Sequence, residues 1–88
     1  MRFEQLQYVQ AVVQCGSMNL ASAKLHVSQQ AISKAIRQLE NELGITIFIR
    51  TNKGAALTPQ GEALNDFIER QGAKMDELKQ RLLQSSSG

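Results

Sequence analysis

The feature that most constrains this chain is a gap of three residues. Two segments with helical periodicity are separated only by His26-Val27-Ser28. Leu20, Ala21, Ala23 and Leu25 lie in the first segment. In the second, Ile32, Ile36, Leu39 and Leu43 recur four, three and four residues apart, one apolar stripe along a helix expected over 29–43. So short a link makes the two helices cross steeply, as in a helix-turn-helix. Leu25, Val27 and Ile32 are expected to lock the turn. Many such turns hold glycine where this chain has His26, a residue type that tolerates left-handed backbone better than most. That gives His26 a structural role in preference to a catalytic or metal-binding one. Ser17 or Asn19 can cap the shorter helix and Ser28 the longer one.

The elements on either side follow from the same reasoning. Phe3, Leu6, Val9, Val12 and Val13 predict an amphipathic helix over roughly residues 3–14, stopped by Gly16. After Gly44 the pattern changes. Ile45 to Ile49 is a β-branched and aromatic run of strand length, Thr51-Asn52-Lys53-Gly54 is turn chemistry, and Ala55 to Leu57 can return as a second strand. Thr58-Pro59 reads as an N-cap followed by proline at the first helical position. The helix it starts is expected to reach Gln84, about 40 Å long. Ser85 to Gly88 read as a flexible end, either a native linker or an appended remnant. The expected fold is mainly α: a winged helix-turn-helix over 1–58, with three helices and a short β-hairpin wing, then a long helix over 59–84.

Composition narrows the chemistry. Eighty-eight residues make one small domain, whose core is marginal enough that a partner subunit would help it. The single Cys15 rules out an internal disulfide and a four-cysteine zinc site, and it reads as a small buried hydrophobe. Cys15 with the single His26 is the only conceivable nucleophile pair. No glycine-rich loop, paired carboxylates or metal spacing accompanies it, so no enzyme, cofactor or metal is expected. Residues 1–10 lack an apolar signal core and no run reaches spanning length, so a cytoplasmic protein without membrane contact is expected. Charge is asymmetric: residues 1–57 carry six Lys or Arg against three Glu, and residues 58–88 carry four against five acidic groups. That hints at an anionic partner for the first part.

On a helical wheel for 29–43, Gln30, Ser33, Lys34, Arg37 and Asn41 fall opposite the apolar stripe, with no acidic residue among them. Gln29, in the first turn, can also reach outward. Glutamine pairs well with adenine and Lys or Arg with guanine in the major groove. A polar stripe is equally a solvated helix face. The helix-turn-helix context favours the nucleic-acid reading, because the start of the second helix is the part that enters the groove. Arg50 and Lys53 flank the hairpin tip, with Thr51 and Asn52 between them. An arginine there can enter an adjacent, narrow, A·T-rich minor groove. Lys24, Ser28, Arg37 and the helix ends are expected to position the module on phosphates.

The ordered motifs Phe3–Gly16 with Ser17-Met18, Ala21 to Leu25, His26-Val27-Ser28-Gln29, Ala31-Ile32-Ser33-Lys34-x-Ile36, Leu39-Glu40-x-x-Leu43-Gly44, Ile47-Phe48-x-Arg50-Thr51 and Leu57-Thr58-x-x-Gly61 resemble the N-terminal DNA-binding domain of LysR-type bacterial transcription regulators. The resemblance spans about residues 1–84. It implies sequence-specific binding of double-stranded DNA, with Gln29, Gln30, Ser33 and Lys34 facing base edges and Arg50 and Lys53 in the wing. It also implies an antiparallel homodimer through the long helix, reading an interrupted A·T-rich inverted repeat. Effector sensing would reside in a C-terminal domain outside these residues. Gln30 stands where a small residue or proline is common, and Lys34 where arginine is usual, a point charge in place of a planar fork. Leu20 and Ser22 also depart from the usual polar and Ala residues of the second helix.

The long helix carries its own signal. Leu64, Ile68, Gln71, Met75, Leu78 and Leu82 alternate by four and three, a heptad seam. Residues 58–68 are expected to lie on their own domain, with Phe67 packing back on it, and the intersubunit seam to begin beyond Gln71. Gln71 and Gly72 weaken its middle. The alternative to DNA binding is a winged-helix module for protein–protein contact, which acidic residues on the outer face of the second motif helix would have favoured.

Overall fold

The computed structural model describes residues 1–86. The order is α1 (Phe3–Cys15), α2 (Met18–Leu25), α3 (Gln29–Leu43), β1 (Phe48–Thr51), β2 (Gly54–Leu57) and α4 (Pro59–Ser86). Helices α1 to α3 pack against one another, and α4 crosses back over α1 and β2. The fold is a winged helix-turn-helix followed by a long helix.

Local chemistry sets each boundary. Gly16 ends α1 in left-handed backbone at φ 82°, its N–H donating to the Val12 carbonyl. Of the two candidate caps for α2, Ser17 is the one used: its hydroxyl accepts the Leu20 N–H at 3.1 Å. His26 closes α2 at φ 57° and ψ 41°, the only described non-glycine residue at positive φ. Ser28 caps α3 by accepting the Ala31 N–H at 3.0 Å. Thr58 caps α4 by accepting the Gly61 N–H at 2.9 Å, with Pro59 next.

The core consists of Val9, Ala11 and Val12 from α1, Ala21 from α2, Ile32, Ile36 and Leu39 from α3, Ile47, and Ile68 from α4. Leu25 and Val27 pack half-buried against it, locking the turn as expected. Several sequence expectations shift. Phe3 is 70% exposed, on the rim of a groove shared with Phe67. Leu43 is exposed at the end of its stripe. Cys15 is half-buried.

The first strand begins at Phe48 and not at Ile45. The residues ahead of it serve other partners. Ile45 N–H donates to the Glu40 carbonyl, Ile47 N–H to the Glu40 carboxylate, and the Ile47 carbonyl accepts the Thr58 N–H. Ile47 is fully buried, so its apolar character reflects burial more than strand pairing. The antiparallel register is Phe48 with Leu57, Ile49 with Ala56, Arg50 with Ala55 and Thr51 with Gly54. The turn is therefore Asn52-Lys53 alone.

Gly61 lets the first turn of α4 press on this region. A Cβ there would collide with the Ile47 carbonyl oxygen. Asn65, one turn later, is buried; its Nδ2 donates to Glu69 Oε1 at 3.3 Å and its Oδ1 has no protein partner. Helix α4 extends two residues further than expected, so Ser85 and Ser86 are helical and not part of a flexible end; residues 87–88 lie outside the described residues. With 28 residues, α4 outruns the head and draws the molecule out to 52 × 27 × 21 Å.

Candidate nucleic-acid interface

Helix α3 presents two faces of opposite character. Ile32, Ile36 and Leu39 are buried, while Gln29, Gln30, Lys34, Arg37 and Asn41 are exposed and Ser33 is half-buried. The Ser28 hydroxyl is committed to its capping bond, although the residue is exposed. The expected polar face is therefore the solvent face.

The wing stands beside it. A crevice of about 220 Å³ runs between the start of α2, the start of α3 and the wing, and Gln29, Arg50 and Thr51 line it. A neighbouring crevice of about 170 Å³ is lined by Ser33, Arg37, Glu40 and Arg50. Arg50 thus borders both crevices, and the fold brings it together with Gln29, Ser33 and Arg37. This refines its expected position flanking the hairpin tip. Arg50 is a β1 residue paired with Ala55, and the tip is Asn52-Lys53. Thr51 is occupied locally: its hydroxyl donates to the Gly54 carbonyl at 3.3 Å and accepts the Lys53 N–H at 3.2 Å.

Lys34, Arg37, Arg50 and Lys53 are all exposed, and none forms an ion pair among the described residues. Four cations on one helix face and the adjoining hairpin, outnumbering the single Glu40 carboxylate in the crevice that Arg37 and Arg50 border, make a positive surface whose field an anion would feel. Lys24 differs: its Nζ donates to Gln14 Oε1 at 3.2 Å, which ties it to α1. Tyr8 on α1 has its phenol pushed up by burial and then by Glu4, so it adds no charge at neutral pH.

The residues expected along the α4 seam divide into two groups. Leu64 is half-buried and Ile68 buried against their own head, so neither is free to face a partner. Gln71, Met75, Leu78 and Leu82 are exposed. Phe67, 38% exposed, only partly packs back, lining a groove of about 540 Å³ with Phe3, Leu6 and Met75.

Sequence reasoning missed two residues that matter to this surface. Glu40 bonds the backbone ahead of the wing, and Gly54 presses against Gly16. Glu40 was visible only as part of a motif, and Gly54 only as turn chemistry. Among the described residues no group of three or more His, Cys, Asp or Glu could hold a metal ion, and no helix is long and apolar enough to cross a membrane.

The model of the bacterial regulatory helix-turn-helix proteins of the lysR family matches residues 3–62. The HTH-type transcriptional regulator ClcR of Pseudomonas putida is 43% identical over 61 residues, which are 69% of this chain and 21% of ClcR. The chain thus spans about a fifth of the length of that relative. A crystal structure of the BenM_DBD/benA site 1 DNA complex aligns with a TM-score of 0.90 and 30% identity, covering 100% of this chain and 99% of that one. The CbnR_DBD-DNA complex aligns at 0.85 and 32%, covering 98% and 99%. The match over more than half the chain, in the order of elements just described, makes this chain a member of the LysR family of bacterial regulatory helix-turn-helix proteins.

Proposed function

We propose that this chain is the DNA-reading head of a bacterial transcription regulator, binding double-stranded DNA sequence-specifically. The observation that carries the reading is the outer face of α3. Gln30, Ser33, Lys34, Arg37 and Asn41 carry amide, hydroxyl and cationic groups there, the Glu40 carboxylate beside them accepts the Ile47 N–H, and a wing bearing Arg50 and Lys53 lies alongside. Gln29, Gln30, Ser33 and Lys34 meet base edges in the major groove, with Arg37 further along the same face. Lys53 and Asn52 reach the adjacent minor groove, and Arg50 lies between the two sets of contacts. Backbone contacts position the module and base contacts specify the site. The solved BenM and CbnR relatives are complexes with DNA, which supports the same role here.

The head works as a homodimer. Met75, Leu78 and Leu82 form an exposed apolar line on α4 beyond the head, and a second copy would cover it. Two heads at fixed separation read two half-sites, so the operator is an approximate inverted repeat. The chain acts by recognition and not by bond-breaking, in the cytoplasm, and a small-molecule effector would act through other parts of a longer regulator.

Anisotropy of the chain with a labelled A·T-rich duplex, titrated with salt, tests the reading. The expected result is non-specific binding at roughly 10⁻⁴ to 10⁻⁶ M that falls steeply with salt. A folded, dimeric chain that binds no duplex in that range would point instead to a protein-interaction module.

A further inference from the structure

The wing is a hairpin of two four-residue strands, too small to hold its own position. Besides its packing on the core and the bonds of its root to Thr58, two contacts tie it to the helix-turn-helix. At its root, Ile47 N–H donates to Glu40 Oε2 at 2.7 Å, so a side chain of α3 grips the backbone just ahead of β1. Ile47 is fully buried, so losing this acceptor leaves a buried N–H unsatisfied. The same Glu40 lines the crevice shared by Ser33, Arg37 and Arg50.

On the returning strand, Ala55 N–H donates to the Gly16 carbonyl at 3.2 Å. Gly54, at φ 127°, lies so close to this corner that a Cβ would collide with the same Gly16 oxygen. Gly16 is itself fixed, its N–H donating to the Val12 carbonyl at 2.8 Å. The wing root is therefore tied to α3, and the far strand to the corner between α1 and α2.

We propose that these two contacts form a clamp that sets the wing's position against α3, and that Glu40 and Gly54 are positioning residues for DNA recognition, acting through Arg50 and Lys53. The inference rests on the DNA-reading role. Contacts in two grooves must match a fixed offset along the duplex. A wing held at that offset before binding avoids the ordering cost that a loose one incurs. Losing the clamp removes the minor-groove preference and leaves the reading by α3 in place. The amide oxygen of glutamine can accept the Ile47 N–H as the carboxylate does; alanine cannot.

The test begins with selection from a randomised duplex library by the 88-residue chain. The winning duplex is remade with A·T or G·C flanks and with single changes in its central pairs. Anisotropy then compares wild type, Glu40→Ala, Glu40→Gln, Gly54→Ala, Lys53→Ala and the double variant Glu40→Ala with Lys53→Ala, with circular dichroism melts reporting the fold. Wild type is expected to prefer A·T flanks. Glu40→Ala and Gly54→Ala are expected to lower that flank ratio on the order of fivefold, about one base pair's preference, while central discrimination stays. Glu40→Gln keeps both, and Lys53→Ala adds nothing further in the Glu40→Ala background.

The clamp is overturned by a wild-type flank ratio in folded Glu40→Ala and Gly54→Ala chains. It is equally overturned by flank and central discrimination falling together, or by a wild type indifferent to its flanks. If Gly54→Ala does not fold, the Glu40→Ala and Glu40→Gln pair decides. A wild type that enriches no sequence at all removes the DNA reading itself, an outcome distinct from all of these.

Discussion

Helices α3 and α4 are both amphipathic, and they use their apolar stripes in opposite ways. Helix α3 buries Ile32, Ile36 and Leu39 in the head and turns a polar, cationic face outward. Helix α4 buries only its first part, through Ile68, and leaves Met75, Leu78 and Leu82 between 48% and 59% exposed. The same periodicity thus has different meanings in different surroundings. On α3 the informative face is the one pointing away from the core, and its chemistry suits a polyanion. On α4 the informative residues are the apolar ones that the head leaves uncovered, and their chemistry suits another apolar surface.

Substitutions that treat the two stripes alike should separate them. Leu39→Ala is expected to destabilise the head by about 2–5 kcal/mol, through lost burial and the cavity left behind. Urea denaturation measures this, and a change below 1 kcal/mol would mean that the α3 stripe is not core. Met75→Asp with Leu78→Asp is expected to leave the head folded and weaken pairing by roughly 4 kcal/mol, about two seam residues' worth. A dimer that survives the pair in sedimentation would remove the intersubunit role of the α4 stripe.

The outer face of α3 sharpens the contrast further. Gln30→Ala or Ser33→Ala is expected to cost about 1–3 kcal/mol of discrimination at one base pair, with binding to random duplex unchanged. Equal losses on selected and random duplexes would mean that these residues do not read bases. Lys53→Ala is expected to have the smallest effect, lowering the slope of log K against log salt by about 0.9. An unchanged slope would show that Lys53 neutralises no charge on the DNA.

Much of this arrangement was legible in the sequence because it is local. The stripe of α3, the caps at Ser28 and Thr58, the stop at Gly16 and the left-handed His26 each depend on residues within a few positions. What escaped depends on contacts distant along the chain. Ile45 to Ile47 have strand-like side chains but face Glu40 and Thr58 where a paired strand would need a neighbour. Arg50 could be placed within the first strand, one pair back from the turn, only once the pairing with Ala55 fixed the register. Gly54 and Gly61 serve close approaches to backbone remote in sequence, at Gly16 and Ile47. Ile68 fits a heptad as well as it fits a core, and only the packing of α4 on the head decides between them.

The uncovered part of α4 has a thermodynamic consequence. An isolated helix of about 15 residues is marginal in water, because nucleation is costly and propagation gains little per residue. The head removes the first obstacle: the packed turns from Thr58 to Ile68 act as the nucleus from which the rest extends. From Glu69 to Ser85 every residue of the helix is exposed, and Gly72 taxes it. If a second chain covers that arm as proposed, its helical order and that burial are coupled, so the arm should fray from its free end on dilution and zip toward it on association. Amide exchange along α4 would depend on protein concentration beyond Gln71 and be nearly independent of it before Ile68.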